Sequence, residues 1–262
     1  MKLHIVPAKQ GLVWVQQGIR TFWRQPLAFT GLFFLFMAWV SLLSMIPVIG
    51  AAVALLILPA ATLGLMVATE QAEAGKFPMP TLLMIAFRAG QQRLKAMLTL
   101  GLLYAGSFLA VMLISAMVDG GGFAKVYLAN APITPEVVNA ADFQIAMWLA
   151  TVLYIPLSML FWHAPALVHW HGVPPVKSMF FSAVACWRNL GAFAVYLLGW
   201  IGVFMVGATI ILTISSAVGG SDLTGAVLMP GALLMAAMFF TSVYFSVKDC
   251  FDLPSPGSEV EA

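Results

Sequence analysis

Residues 27–69 read LAFTGLFFLFMAWVSLLSMIPVIGAAVALLILPAATLGLMVAT, an uncharged stretch interrupted only by the turn Ile46-Pro47-Val48-Ile49-Gly50. A helix needs about 20 apolar residues to cross roughly 30 Å of hydrocarbon, so this stretch is long enough to cross and return as a tight helical hairpin. Further segments of the same character bring the spans to six, near 27–48, 49–69, 96–118, 145–168, 191–217 and 224–247. Backbone polar groups in lipid must be paired within the protein, which a helix achieves alone, and the alternating pattern of a barrel is absent. With 62% hydrophobic residues and a mean hydropathy of +0.98, the 262-residue chain lies far outside the soluble range. The fold class is all-α and polytopic. Residues 1–252 read as a single six-helix transmembrane domain, and 253–262 as a disordered, Pro/Ser/Glu-rich cytoplasmic tail.

The cations orient the spans. Lys2, Lys9, Arg20, Arg24, Lys76, Arg88, Arg93, Lys95, Lys177, Arg188 and Lys248 fall in one set of connections, and of the 12 Lys and Arg only Lys125 falls in the other. That asymmetry places both termini in the cytoplasm. The opposite connections carry Asp119, Glu136, Asp142 and Asp222. The first apolar segment is longer than a cleavable signal core and is read as an uncleaved span. Cys186 and Cys250 both fall on the cytoplasmic side, where thiols stay reduced, so neither a disulfide nor a cysteine-based metal site is expected. The longest opposite-side connection, 119–143, opens on Gly120-Gly121-Gly122 and contains Thr134-Pro135-Glu136, a helix-start signature.

A stretch with helical amphipathicity precedes each odd-numbered span. In 12–25, Leu12, Val15, Ile19 and Phe22 oppose Gln16, Arg20 and Arg24; in 81–95, Leu83, Phe87, Gly90 and Leu94 oppose Arg88, Gln92 and Lys95. In 176–189, Phe180, Val184 and Trp187 face away from Lys177, Ser178 and Asn189. Pro80 precedes Arg93 by 13 residues (93 − 80) and Pro175 precedes Arg188 by 13 (188 − 175). The reading is three hairpin repeats, each led by a cytoplasmic interfacial helix.

No Asp, Glu, Lys or Arg lies inside the six proposed spans, whereas pumps and proton-coupled transporters place such groups there. Walker, Gly-x-Ser-x-Gly and His-Glu-x-x-His motifs are missing. Glu70 and Glu73 read as a solvated helix end rather than a catalytic pair. No enzyme activity, cofactor or metal is expected. His169 and His171 are two residues apart and point to nearly opposite sides of a helix, which does not suit a shared metal. The densest polar cluster is Trp162-His163 with Pro165. A packed, hydrogen-bonded histidine beside a tolerated kink is the plainer reading; the sharper one is a backbone carbonyl freed by Pro165 that takes a polar headgroup. Arg24, Arg93 and Arg188 stand at the three span entrances and suit bidentate phosphate recognition, or simple interfacial anchoring. Ala60, Gly64 and Ala68, with Gly101 and Ala105, suit close helix packing.

The Ile5-Val6-Pro7-Ala8 run, the Phe22-Trp23-Arg24-Gln25-Pro26-Leu27 entrance and the Phe161–Ser178 segment together resemble a proteobacterial family of six-span inner-membrane proteins of unassigned activity. A Pro-Ala pair ending a span, followed by a Gly-Pro connection and a Ser-containing interfacial helix, is more loosely similar to YciC-like membrane proteins. The resemblance implies a multi-pass protein of the bacterial inner membrane and carries over no functional residue. The expected function is non-enzymatic: binding or distributing a lipid or other amphipathic ligand at the cytoplasmic leaflet. Arg24, Arg93 and Arg188 would then meet the phosphate, with Trp162 and His163 at the pocket wall. An accessory subunit of a larger membrane complex and a facilitator of a small uncharged solute are the alternatives. Expected partners are membrane lipids, with a membrane-protein partner or homo-oligomer as a further option, and no nucleic acid.

Overall fold

The computed structural model describes residues 2–46, 49–129, 131–218 and 221–253. Its helices in chain order are α1 (Gln10–Arg24), α2 (Pro26–Ser44), α3 (Gly50–Glu73), a 3-10 turn (Pro80–Met84), α4 (Ile85–Arg88), α5 (Gln91–Asp119), α6 (Gly122–Ala129), α7 (Pro135–Asn139), α8 (Ala141–Phe161), α9 (Ala164–His171), α10 (Pro175–Arg188), α11 (Leu190–Val218) and α12 (Ser221–Cys250). No β-sheet is present among the described residues; one antiparallel bridge joins Leu3 and Phe251. Six elements are long and apolar enough to cross a membrane: α2, α3, α5, α8 with α9, α11 and α12. The expected turn at Pro47-Val48, and the expected tail from Pro254 onward, lie outside the described residues.

The helices outrun the apolar windows, because backbone pairing continues through polar residues whose side chains reach water. Thus α5 starts at Gln91 rather than near 96. This also corrects the expected helix over 81–95. Gly90, at φ +89°, takes a conformation that residues with a Cβ rarely adopt. It divides the stretch into the 3-10 turn with α4 before it and the first turn of α5 after it.

The chain forms two compact units, Met1–Met37 with Ala61–Ile85 and Ala185–Ala262, and Ala38–Ala60 with Ala86–Val184. In the first, α1 packs on both α11 and α12. Its buried face is Gly11, Trp14, Val15, Gly18, Thr21 and Phe22, whereas Leu12, expected on the apolar face, is 47% exposed. The register is set by glycines. A Cβ on Gly11 would come within 2.6 Å of the Tyr196 backbone nitrogen, and one on Gly18 within 2.7 Å of Ser242 Cα. Trp14, fully buried, lies against the rings of Phe193 and Tyr196 and donates from Nε1 to Asp249 Oδ2 at 2.7 Å. Gln10 Nε2 donates to the same oxygen at 2.6 Å.

The chain ends of this unit are joined through Asn189, which is 2% exposed. Its Oδ1 accepts the Val6 N–H at 2.8 Å, and its Nδ2 donates to the carbonyls of His4 (3.1 Å) and Ala185 (3.0 Å). The His4 N–H donates to the Cys250 carbonyl at 3.0 Å, and His4 Nε2 meets Asp252 Oδ1 at 2.8 Å.

The second unit is built on α5 and α8. Gly101 lets α5 approach the Leu56 backbone, as the small-residue stripe implied. Ring contacts run from Phe161 through Tyr104 and Phe108 to Tyr154, with Tyr104 and Tyr154 hydroxyls 3.3 Å apart. The 119–143 connection holds a helix that its glycine run concealed. Asp119 caps α6, its carboxylate accepting the N–H groups of Gly121 (2.9 Å) and Phe123 (2.6 Å). Gly120 and Gly121 turn the chain at φ +65° and +89°. Tyr127 then packs 5.8 Å from Phe108. Phe108 is 11 residues (119 − 108) before the end of α5, about 16 Å along a helix axis. So α6 runs back alongside α5 and α8 instead of crossing over their ends. Thr134 and Pro135 start α7 as expected, with Thr134 Oγ1 accepting from the Val137 N–H.

Candidate functional site

A hydrogen bond missing from the fourth span builds the most distinctive site. Helix α8 stops at Phe161 and α9 starts at Ala164, with Pro165 in its first turn. In an unbroken helix the His163 N–H would meet the Met159 carbonyl four residues back. Here the Ser182 hydroxyl from α10 stands between them. It accepts the His163 N–H at 2.9 Å and donates to the Met159 carbonyl at 2.7 Å. A side chain inserted in the helical ladder is a recognised cause of a kink, as is proline. Ser182 and His163 are both fully buried. The Met159 carbonyl left by this break is therefore occupied by protein; the carbonyl that Pro165 itself deprives of a helical donor is that of Phe161, four residues back.

Helix α9 carries on from the kink to Gly172, whose φ of +62° forms a left-handed cap, and Val173 N–H closes back on the Leu167 carbonyl at 3.3 Å. The end of α9 and the start of α10 form one wall of a cleft of about 410 Å³, lined by Val168, Gly172, Val173, Pro174 and Pro175. The opposite wall is the first turn of α5: Gln92, Arg93 and Ala96. Among these lining residues are a guanidinium and a carboxamide and no carboxylate. Electrostatically the cleft suits an anion, because the start of α5 adds the positive end of a long helix to the Arg93 charge.

The other candidate residues sit elsewhere. Arg24 ends α1, and its Nη1 donates to Glu73 Oε1 at 3.0 Å, an oxygen that also accepts Thr21 Oγ1 at 2.9 Å. Glu73 is thus a fastening between α1 and α3 rather than a solvated end. Arg188 is exposed at the end of α10. Arg24 and Arg188 belong to the first unit and Arg93 to the second. Trp162 and His163 lie in the kink and do not line the Arg93 cleft. His169 and His171 are both on α9, two residues apart on a helix. Cys186 and Cys250 are free and buried; burial, and then the nearby Cys250, push the Cys186 thiol up, away from nucleophilic use.

Ser182 and Gln92 were not candidates from sequence. Pro165 signalled a break, but only the packing of α10 supplies the hydroxyl that fills it.

No protein-family model matches the chain, and no solved structure matches it. A curated relative, described as a probable inner membrane protein of Burkholderia thailandensis, is 42% identical over 261 residues, covering 98% of this chain and 97% of the relative. The six apolar helices fit a multi-pass membrane protein. At that identity and coverage, the chain belongs to the same family as this Burkholderia inner-membrane protein.

Proposed function

We propose that this is a non-enzymatic, multi-pass inner-membrane protein that binds or distributes a lipid, or another amphipathic phosphate-bearing ligand, at the cytoplasmic leaflet. The observation that carries the reading is the Arg93 cleft, a concave, carboxylate-free recess at the entrance of a span. Arg matches the planar geometry of a phosphate oxygen pair, and Gln92 adds an amide donor. In the orientation expected from the cations, the recess opens on the cytoplasmic side, where both termini also lie. The relative's description as an inner-membrane protein supports the location.

Arg24 and Arg188 take a supporting part. Each follows an exposed tryptophan, Trp23 or Trp187, at the last turn of the helix before a span. Trp and Arg at that position suit the headgroup layer. The three-hairpin arrangement, each led by an interfacial helix, would then repeat that anchoring. The second copy differs, since the Gly90 break moves its arginine onto the span itself.

Native mass spectrometry of the full chain, released gently from its own membrane, tests this reading. The expected result is a discrete phospholipid or isoprenoid-phosphate adduct that Arg93→Gln removes at unchanged melting temperature. Retention of the adduct in that variant would refute the cleft. An accessory-subunit role is the second reading. Its contact surface would be α11, where 6% of the apolar window is buried within this chain against 61% for α3, leaving a face open to lipid or to a partner helix. A second polypeptide at fixed stoichiometry, without an adduct, would support it.

A further inference from the structure

We propose that Ser182 is a positioning residue for the Arg93 cleft. It holds α9 in a kinked position, and its release lets α9 swing and change the width of the cleft. This inference rests on the headgroup reading for its ligand, but its geometry stands independently. The two backbone groups that Ser182 occupies, the His163 N–H and the Met159 carbonyl, are each other's partners in a continuous helix. When the hydroxyl leaves, they can pair directly, so neither of these two groups is orphaned; Pro165 has no N–H to offer the Phe161 carbonyl in either state, and its ring sets the cost of straightening. The released hydroxyl also has a local acceptor in its own helix, one turn back, as Ser178 Oγ already donates to the Pro175 carbonyl at 2.7 Å. Two arrangements in which the His163 N–H, the Met159 carbonyl and the Ser182 hydroxyl are all paired are what a bistable element requires.

The moving part is defined at both ends. Helix α9 is one rigid piece of 8 residues between the kink and the left-handed cap at Gly172. The kink is at the α8 end, while Val168, Gly172 and Val173 at the other end face Arg93 across the cleft. A small change of angle at His163 is therefore read out as displacement of the cleft wall, about 12 Å away along the helix. The hydrogen bonds of Ser182 go to backbone groups of the kink, and Ser182 does not line the cleft. Its effect on a ligand has to pass through α9. A headgroup that prefers one cleft width would bias the hydrogen-bond exchange, and the exchange would bias affinity for the headgroup by the same factor.

Amide hydrogen exchange on the full chain in lipid nanodiscs, paired with lipid retention, separates the possibilities. Ser182→Ala should move 160–171 to the direct Met159–His163 pair, so exchange there stays within about threefold of the wild type while retention of an anionic phospholipid falls at least threefold, and α5 and α12 keep their protection. Exchange over 160–171 sped tenfold or more, the mark of an orphaned His163 N–H, would overturn the proposal. Pro165→Ala shifts the same equilibrium toward the straight helix without removing any buried partner, so it is the variant to rely on if Ser182→Ala exchanges everywhere. Pro165→Ala should slow exchange over 160–171 and still lower retention of an anionic phospholipid at least threefold. Wild-type retention in Pro165→Ala, with retention abolished in Arg93→Gln, would overturn the hinge and leave the headgroup reading intact. Slowed exchange over 160–171 in Pro165→Ala, with full retention in Arg93→Gln, would support the hinge and sink the headgroup reading.

Discussion

Replacing Gly18 by alanine should loosen α1 from α12, although alanine is the better helix former. Two effects of opposite sign compete. Gly→Ala in a helix interior gains about 1 kcal/mol from backbone entropy. Against this, a Cβ on Gly18 would come within 2.7 Å of Ser242 Cα, and closer still to Ser242 Cβ. Carbon atoms are at ease about 3.5–4.0 Å apart, so the helices must part by about 1 Å. Ser242 has little room to give, because its Oγ is bonded to Tyr196 (2.6 Å), Trp200 (3.1 Å) and the Phe239 carbonyl (2.6 Å). Overpacking of this kind costs about 1–3 kcal/mol, and a 1 Å shift also stretches the Trp14–Asp249 bond. We expect Gly18→Ala to be destabilised by about 1–2 kcal/mol net. Gly31→Ala supplies the internal control, since nothing lies within 4 Å of a Cβ there and only the gain of up to about 1 kcal/mol should remain. The assay is thermal or denaturant unfolding of both variants in the same detergent, followed by tryptophan fluorescence. If Gly18→Ala proves as stable as Gly31→Ala, the claim that glycine sets the contact between α1 and α12 is wrong.

Three further outcomes are expected. Asn189→Ala leaves the Val6 N–H and the His4 carbonyl without their side-chain partner, while the Ala185 carbonyl keeps the N–H of residue 189, so it should lower stability by about 2–3 kcal/mol and expose the first residues to protease. Asp119→Ala removes the α6 cap, with an expected loss of about 1–2 kcal/mol and faster amide exchange confined to 121–129. The third is pH-dependent. The hydrogen bond from His4 holds the Asp252 carboxyl below its usual range, so its contribution is present above that range and is lost as pH falls through the lowered value. Amide exchange at Leu3–Val6 should therefore rise on acidification below about pH 4. His4→Ala should abolish that step, and a step persisting in the variant would assign it to another group.

The spans were legible because crossing hydrocarbon is a local demand: about 20 consecutive residues must each be apolar, and all six stretches say so on their own. The same rule misplaced their ends. Gln91–Lys95 read as part of an interfacial helix because they are polar, yet they pair their backbone as the first turn of α5 once Gly90 has broken the chain. In the 119–143 connection the helix start at Thr134-Pro135 was legible, but the one after Gly120-Gly121-Gly122 was not, because glycines weaken any helical pattern. Asp119 caps a helix there, and rings from α5 and α8 pack against it.

For the candidate site, the arginines and the proline-marked kink were visible as residue types, since charge and a missing donor are properties of single side chains. Which arginine meets a recess was not visible. Arg24 is drawn to Glu73, 49 positions away in sequence, while Arg93 faces the end of α9. Sequence alone determined the helical class, the number of apolar crossings and the charge asymmetry along the chain, because hydropathy and charge act residue by residue. Tertiary structure alone decided that α1 is packed by its glycines, that α6 folds back along its neighbours, and that Ser182 completes the hydrogen bond missing between Met159 and His163. Each of these depends on groups distant in sequence meeting within a few ångströms, and no local pattern encodes that meeting.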